Sequence, residues 1–473
     1  MARTLLDLPE EMLLLIGREL FVYEALFLTS TCRRLRHLGM HCKSLWTGVL
    51  RTVPVPLPPG LTMSNATGAQ LHQAALAAAT MHVRWSRSAR VQFRKQVRLM
   101  STTAGDASTL VLLHLIRGGR WAVTCTSSGR VVIWDLSENA PRARHQIVCT
   151  PFSLDDRTIM LDEDADGRGA VFAVSLAVAG KRFLRVLRLR FPTDADARPE
   201  IEEAGSKEMS NARISFALAV SGAGSRVAVA RMDAVTHRID VFVWDYAEDL
   251  DLRLHTTLVY LIDISACQLR ITADMLLFYG TSAANSLLVS LVSLAPGVSQ
   301  DIRDRKEDRY VHCAYQAAYA LDGAPSRGRM PVALTHDQLA LVFAARHGAN
   351  FTHHLFHVAP SVPVKAEDGA APPDSPIQPV PFALARSAAV GLPDAPPSSK
   401  ASPILGAGGK RALWVSGSRL FGASLCTAEA PRELELPADV ARAVGGAERI
   451  AYDEAWSVVA LASDAGQIWA LYY

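Results

Sequence analysis

Residues 110–136 read LVLLHLIRGGRWAVTCTSSGRVVIWDL, and this stretch decides the fold. Three apolar runs are parted by Gly118-Gly119 and by Ser127-Ser128-Gly129. Short runs rich in Val, Ile and aromatic residues, bounded by Gly/Ser turns, read as strands of a meander. The last run ends Val131-Val132-Ile133-Trp134-Asp135. The pattern returns in residues 215–246, SFALAVSGAGSRVAVARMDAVTHRIDVFVWDY. There Gly222 and Gly224 make the turn, and Trp244-Asp245 closes the strand as Trp134-Asp135 does earlier.

Weaker copies follow at Ala170–Phe191, Asp274–Leu294, Arg411–Leu425 and Trp456–Tyr473. A strand meander closing on Trp-Asp resembles a blade of the WD40 β-propellers, and the missing Gly-His dipeptide makes it a divergent one. A repeat near roughly 50 residues means that each unit buries its face on its neighbours. The segment from 97 to 473 then holds about seven blades. Trp134, Asp135, Trp244 and Asp245 are the expected structural residues. The chain ends on Ile468-Trp469-Ala470-Leu471-Tyr472-Tyr473, which resembles a third strand with no fourth after it. Val97–Thr103 can supply that fourth strand, so both chain ends would share one blade and remove open edges. Residues 360–403 are rich in Pro, Ala and Ser, which reads as a flexible insertion between blades. Within it, Ser375-Pro376 matches a proline-directed phosphorylation site.

The period before residue 97 is helical. Pro9 suits the first turn of a helix, Asp7 can cap it, and Glu10 and Glu11 face the positive end of its dipole. Met12 to Ile16 are all apolar and Leu20 follows, so this helix is oily on more than one face. Three helices in about forty residues cannot bury that surface among themselves, and the excess needs a partner. Residues 51–96 are a Pro-rich connector and then an Ala-rich helix, Ala69–Ser86, with Leu71, Ala75 and Ala78 or Ala79 at helical spacing.

The order Leu8, Pro9, Glu11, Ile16, Leu20, Leu26, Leu28, Cys32, Arg34, Leu35, Leu45, Trp46 resembles the F-box family. The resemblance covers residues 1–50. It implies a three-helix module that docks on the adaptor Skp1 and through it joins a cullin-RING ubiquitin ligase. It implies Leu8, Pro9, Met12, Ile16 and Leu28 as Skp1 contacts, and Leu20, Leu26, Cys32, Leu35 and Trp46 as module core. Two features depart from the family. Gly17 interrupts the first helix, at a cost of roughly 1 kcal/mol relative to Ala. Phe21-Val22-Tyr23 replaces the usual Leu-Asp-Pro link. The expected fold class is α plus all-β: three-helix F-box, linker helix, then a WD40-like propeller of about seven blades.

Composition supports a globular chain, with 49% apolar and 20% charged residues. Net charge of +3 gives no reason to invoke nucleic acid. No apolar run has the length of a membrane span, and the N-terminus does not read as secretory. The seven cysteines are scattered without CxxC spacing, which fits reduced thiols in the cytosol or nucleus.

Other constellations read as structural. Asp162-Glu163-Asp164-Ala165-Asp166-Gly167 begins like a calcium loop, but Ala170 and Ala173 stand where further acids belong, so it reads as an acidic hairpin turn. Cys32, His37, His41 and Cys42 fit no common zinc spacing. His347, His353, His354 and His357 flank a strand whose adjacent residues face opposite ways. The basic run Arg84–Arg98 reads as a solvated segment rather than a phosphate grip. Gly406, Gly408 and Gly409 before Lys410-Arg411 lack P-loop spacing. No cofactor, metal or catalytic residue is expected.

These readings converge on a substrate receptor: F-box on Skp1, propeller displaying an unknown target protein, no chemistry in the chain itself. The rivals are an F-box scaffold outside any ligase and an enzyme with a site at the propeller's central channel.

Overall fold

The computed structural model describes residues 8–50, 55–87, 90–99, 109–137 and 142–148. It also describes most of 159–256, the strands between 268 and 392, and most of 404–473. Asp7 and the Ser375-Pro376 dipeptide lie outside these residues. The chain divides into a helical N-terminal part and antiparallel sheets.

The helices are α1 (Glu10–Arg18), α2 (Val22–Ser30), α3 (Arg33–His41), α4 (Lys43–Val49) and α5 (Gly68–Arg87). The expected three-helix module therefore has four short helices. Cys42 adopts an extended conformation between α3 and α4, which breaks the third helix into two. Pro9 precedes α1 directly, and Glu10 and Glu11 fill its first turn. The Glu24 carboxylate accepts the Phe21 N–H at 2.9 Å and so caps α2. Gly17 has a packing reason: a Cβ there would strike the Leu45 side chain, so glycine lets α1 and α4 meet closely.

α5 is more than a spacer. Its first half puts Leu71, Ala74 and Ala75 into one core with Leu13, Val22, Ala25, Leu35, Leu45 and Trp46. This covers part of the apolar excess of the short helices. Its last turns send Trp85 into a different core, among Leu413, Leu420, Val459 and Trp469 of the sheets.

The described strands form seven sheets of four or five strands each. In the first, Leu110–Leu115, Trp121–Thr126, Arg130–Asp135 and Arg142–Val148 pair in chain order, as the opening stretch predicts. Gly118 and Gly119 both take positive φ, 101° and 65°, so the first turn needs glycines. Trp121–Thr126 is buried on both faces, because a neighbouring sheet covers each side. Continuous cores join the first sheet to the second through Trp121, Val123, Phe172 and Leu187, and the second to the third through Val171, Val186, Val229 and Trp244. The arrangement is propeller-like.

The final sheet runs Lys95–Leu99, Ile468–Tyr472, Val458–Ser463, Ala447–Asp453. Its antiparallel register pairs Lys95 with Tyr472 and Leu99 with Ile468. The early strand Lys95–Leu99 and the last strand thus share a sheet; of the expected Val97–Thr103, Val97–Leu99 lie in it and residues 100–103 lie outside the described residues. Arg90–Val91 also adds, in parallel, to the edge Arg432–Leu434 of the preceding sheet. The expected insertion at 360–403 is interrupted: Phe382–Leu392 pairs with Asn350–Pro360 as the outer strand of its sheet. Residues 361–381 and 393–403 lie outside the described residues. A last helix, α6 (Ala438–Val444), packs Val440 and Val444 against the final sheets and is absent from the sequence expectations. Among the described residues, no helix is long and apolar enough to cross a membrane.

Candidate functional site

Among the described residues, the large exposed apolar side chains Met12, Leu15, Phe21, Tyr23, Phe27 and Leu76 all belong to the helical part. Phe27 is 75% exposed, Phe21 59%, Leu15 53% and Met12 46%. Exposed large apolar side chains that gather on neighbouring short helices make this part the candidate interaction surface. Local sequence explains it. α1 is apolar through Met12 to Ile16, but its fold contacts take Leu13, with Leu14 and Ile16 only half-buried. α2 buries Val22, Ala25 and Thr29, which turns Tyr23 and Phe27 outward. The Phe21 and Tyr23 rings stack at 5.9 Å, and Tyr23 stacks on His82 of α5 at 6.5 Å.

The nominated contacts divide within this face. Pro9 and Met12 are exposed, while Leu8, Ile16 and Leu28 are half-buried. Leu15, Phe21, Tyr23, Phe27 and Leu76 were not nominated. Apolar excess in the sequence announces such residues, but only the packing tells which ones remain uncovered. Of the nominated core, Leu35 and Trp46 are buried, and Leu20, Leu26 and Cys32 are half-buried against the same cluster. The Trp46 indole N–H donates to the Gly39 carbonyl.

The four strand-closing residues each make side-chain hydrogen bonds. Trp134 Nε1 donates to Thr124 Oγ1 at 2.9 Å, and Trp244 Nε1 to Asp249 at 3.0 Å. Asp135 is buried, accepts from Arg120 and Ser137, and titrates below the usual carboxylate range. Burial alone would raise it, but these hydrogen bonds and the Arg120 charge outweigh burial. Asp245 accepts from Ser225 Oγ.

The acidic turn stitches neighbouring sheets. Asp162 accepts the Gly222 N–H at 2.8 Å, and Glu163 accepts the Arg117 N–H at 2.7 Å. Glu163 also meets His114 Nε2 at 2.8 Å, and Asp453 accepts the Gly118 N–H at 3.0 Å. Each of these three carboxylates accepts a backbone N–H from another sheet, and Glu163 also engages the His114 ring. Among the described residues, no group of three or more His, Cys, Asp or Glu could hold a metal, and this covers Cys32, His37, His41 and Cys42. The side chains of His347, His353, His354 and His357 lie outside the described residues, as do Gly408 and Gly409.

Burial, with the nearby Glu163 charge, pushes Asp453 up to about 6. An unfolded Asp titrates near its ordinary value of about 3.9. The folded chain thus holds more protons between these values, and stability falls as pH rises through about 6. We expect a lower melting temperature at pH about 7.5 than at about 5.5, and a smaller difference in Asp453→Asn. Thermal melts at both pH values check this; an equal pH response in both proteins would assign it elsewhere.

No protein-family model matches the chain, and no curated protein matches it. Among solved structures, the chain is similar to the β-propeller domain of Cps50 (Swd1) from Myceliophteria thermophila. The identity is 13%, over 80% of this chain and 99% of that one, with a TM-score of 0.46.

Proposed function

We propose that this chain is a substrate receptor of an SCF-type ubiquitin ligase in the cytosol or nucleus. In this reading, the helical module is an F-box docking on a Skp1-like adaptor, which links it to a cullin-RING ligase. The sheets form a closed ring of about seven blades that binds a target protein. One observation carries the reading: large apolar side chains stand exposed on α1 and α2, where the F-box resemblance puts the adaptor contacts. The chain itself does no chemistry. Ubiquitin transfer would come from the partnered ligase, and the receptor contributes proximity.

The test is adaptor binding by the full chain. Truncating a well-exposed aromatic anchor at an interface centre costs roughly 2 kcal/mol, about thirtyfold in affinity. Phe27→Ala should lose that much, and Met12→Glu with Phe27→Glu should abolish adaptor recovery. Both side chains are largely exposed, so the melting temperature should hold. Undiminished recovery of Skp1 by the double variant would sink the reading. Cullin in the recovered complex separates a ligase subunit from a scaffold that binds the adaptor alone.

A further inference from the structure

We infer that the partner covering the apolar face is a protein with an acidic rim, and that Arg33 and Arg36 of α3 meet that rim. The inference rests on the docking role proposed above. Between Glu24 and Asp106 the chain contains no Asp or Glu but eleven Lys and Arg. Since the whole chain carries only +3, the remainder is net negative. Soluble surfaces normally intersperse both signs, because like charges repel when gathered together.

Many of these cations have internal partners. Arg90 pairs with Glu433 at 2.8 Å, Arg94 donates to the Tyr473 carbonyl, and Lys43 to that of Ser64. Arg33 and Arg36 differ: both are exposed, and neither side chain makes a hydrogen bond or ion pair with another described residue. They stand three apart and so share one face of α3, while Leu35, Leu38 and Gly39 are buried on the other. His37 and His41 extend the outward stripe, their rings 4.5 Å apart. This stripe borders the docking face. Arg34 Nη2 donates to the Leu8 carbonyl at 3.1 Å, which holds the start of α3 against the start of α1. Arg33 also follows close after α2, the helix that exposes Phe27.

A protein suits this surface better than nucleic acid or membrane. Non-specific nucleic-acid binding grows with the number of phosphates neutralised, and two free arginines release few counterions. A phosphate backbone would leave Met12, Leu15 and Phe27 in water. Two cations are likewise too few to hold a chain on an anionic bilayer. An acidic rim around an apolar centre satisfies both features together, with charge acting mainly on encounter and register.

The experiment measures association of the full chain with purified Skp1-type adaptor, for wild type, Arg33→Glu/Arg36→Glu and Arg33→Gln/Arg36→Gln. Wild-type association should slow steeply as salt rises from roughly 50 to 500 mM. The Glu variant should associate about tenfold slower at low salt, with a shallow salt response and a near wild-type dissociation rate. The Gln variant should fall between. All should melt alike, because neither arginine side chain has a partner among the described residues. Unchanged association and salt response, with Phe27→Glu still blocking binding, would overturn this inference and leave the docking reading standing. A wild-type chain that never binds the adaptor removes both. Arginine-dependent binding to a single-stranded RNA or to phosphatidylserine vesicles would give the stripe a different partner and overturn it too.

Discussion

A chain lacking Ile468–Tyr473 should fail to fold. The deleted strand sits between Lys95–Leu99 and Val458–Ser463, so its loss leaves the first without any neighbour and the second with an open edge. Ile468, Trp469, Ala470, Leu471 and Tyr473 are all buried. Burying one large apolar side chain contributes about 1.5–3 kcal/mol, so four of them approach the roughly 5–15 kcal/mol that holds a domain folded. Polar links go as well. The Tyr472 hydroxyl shares its proton between the Gly119 and Leu136 carbonyls at 3.2 and 3.3 Å, and the Tyr473 hydroxyl donates to the Glu435 carbonyl at 2.9 Å. The truncated protein should appear in the insoluble fraction or as high-mass aggregate, because an unpaired apolar edge templates association. Recovery of a monomer with an unchanged melting temperature would refute the structural role of the shared sheet and the ring closure proposed with it.

Trp85→Ala should cost about 3–5 kcal/mol and loosen the helical module from the sheets. Trp85 is buried where the end of α5 meets the last two sheets. Its indole N–H donates to Ser457 Oγ at 3.3 Å, and the Arg411 guanidinium lies 4.7 Å over the ring. Gly422 has no side chain because a Cβ there would collide with the ring. Ser457 holds a left-handed φ of 51°, a conformation that surrounding contacts must maintain. Removing the indole deletes the central piece and leaves a cavity. The variant should melt at a lower temperature than wild type. Adaptor binding should survive, because Met12, Leu15 and Phe27 lie on other helices. A melt matching wild type would mean that other contacts, such as Pro59 against Gly118, hold the two parts together.

Several features were legible in the residues. Alternation and Gly/Ser turns give the strands of 110–136 and 215–246 because side chains on a strand alternate faces with period two. The last run, Ile468–Tyr473, announces a strand in need of a neighbour, and Val97 lies in the one it finds. Helical spacing gives α5 to within about two residues of its ends. Other features were not legible. The acid-poor break at Cys42 carries no Gly or Pro to mark it, so α3 and α4 read as one helix. Phe382–Leu392 sits inside a Pro-rich segment whose average composition hides a pairing strand. Arg90–Val91 is two residues long and pairs in parallel with residues far along the chain.

Local pattern by itself determined which segments are helices or strands, which residues are apolar, and that the short helices carry more oil than they can bury. Those properties depend on neighbours a few positions away. Only the tertiary structure decided that α5 takes up part of that oil, that Trp85 ends in the core of the sheets, and that Met12, Leu15 and Phe27 stay in water. It alone decided that Asp162, Glu163 and Asp453 accept backbone N–H groups from adjoining sheets. The reason is that burial and hydrogen-bond partnership are properties of surfaces brought together by the whole chain. Two residues with the same side chain and the same helical phase differ in exposure according to what some distant segment places over them.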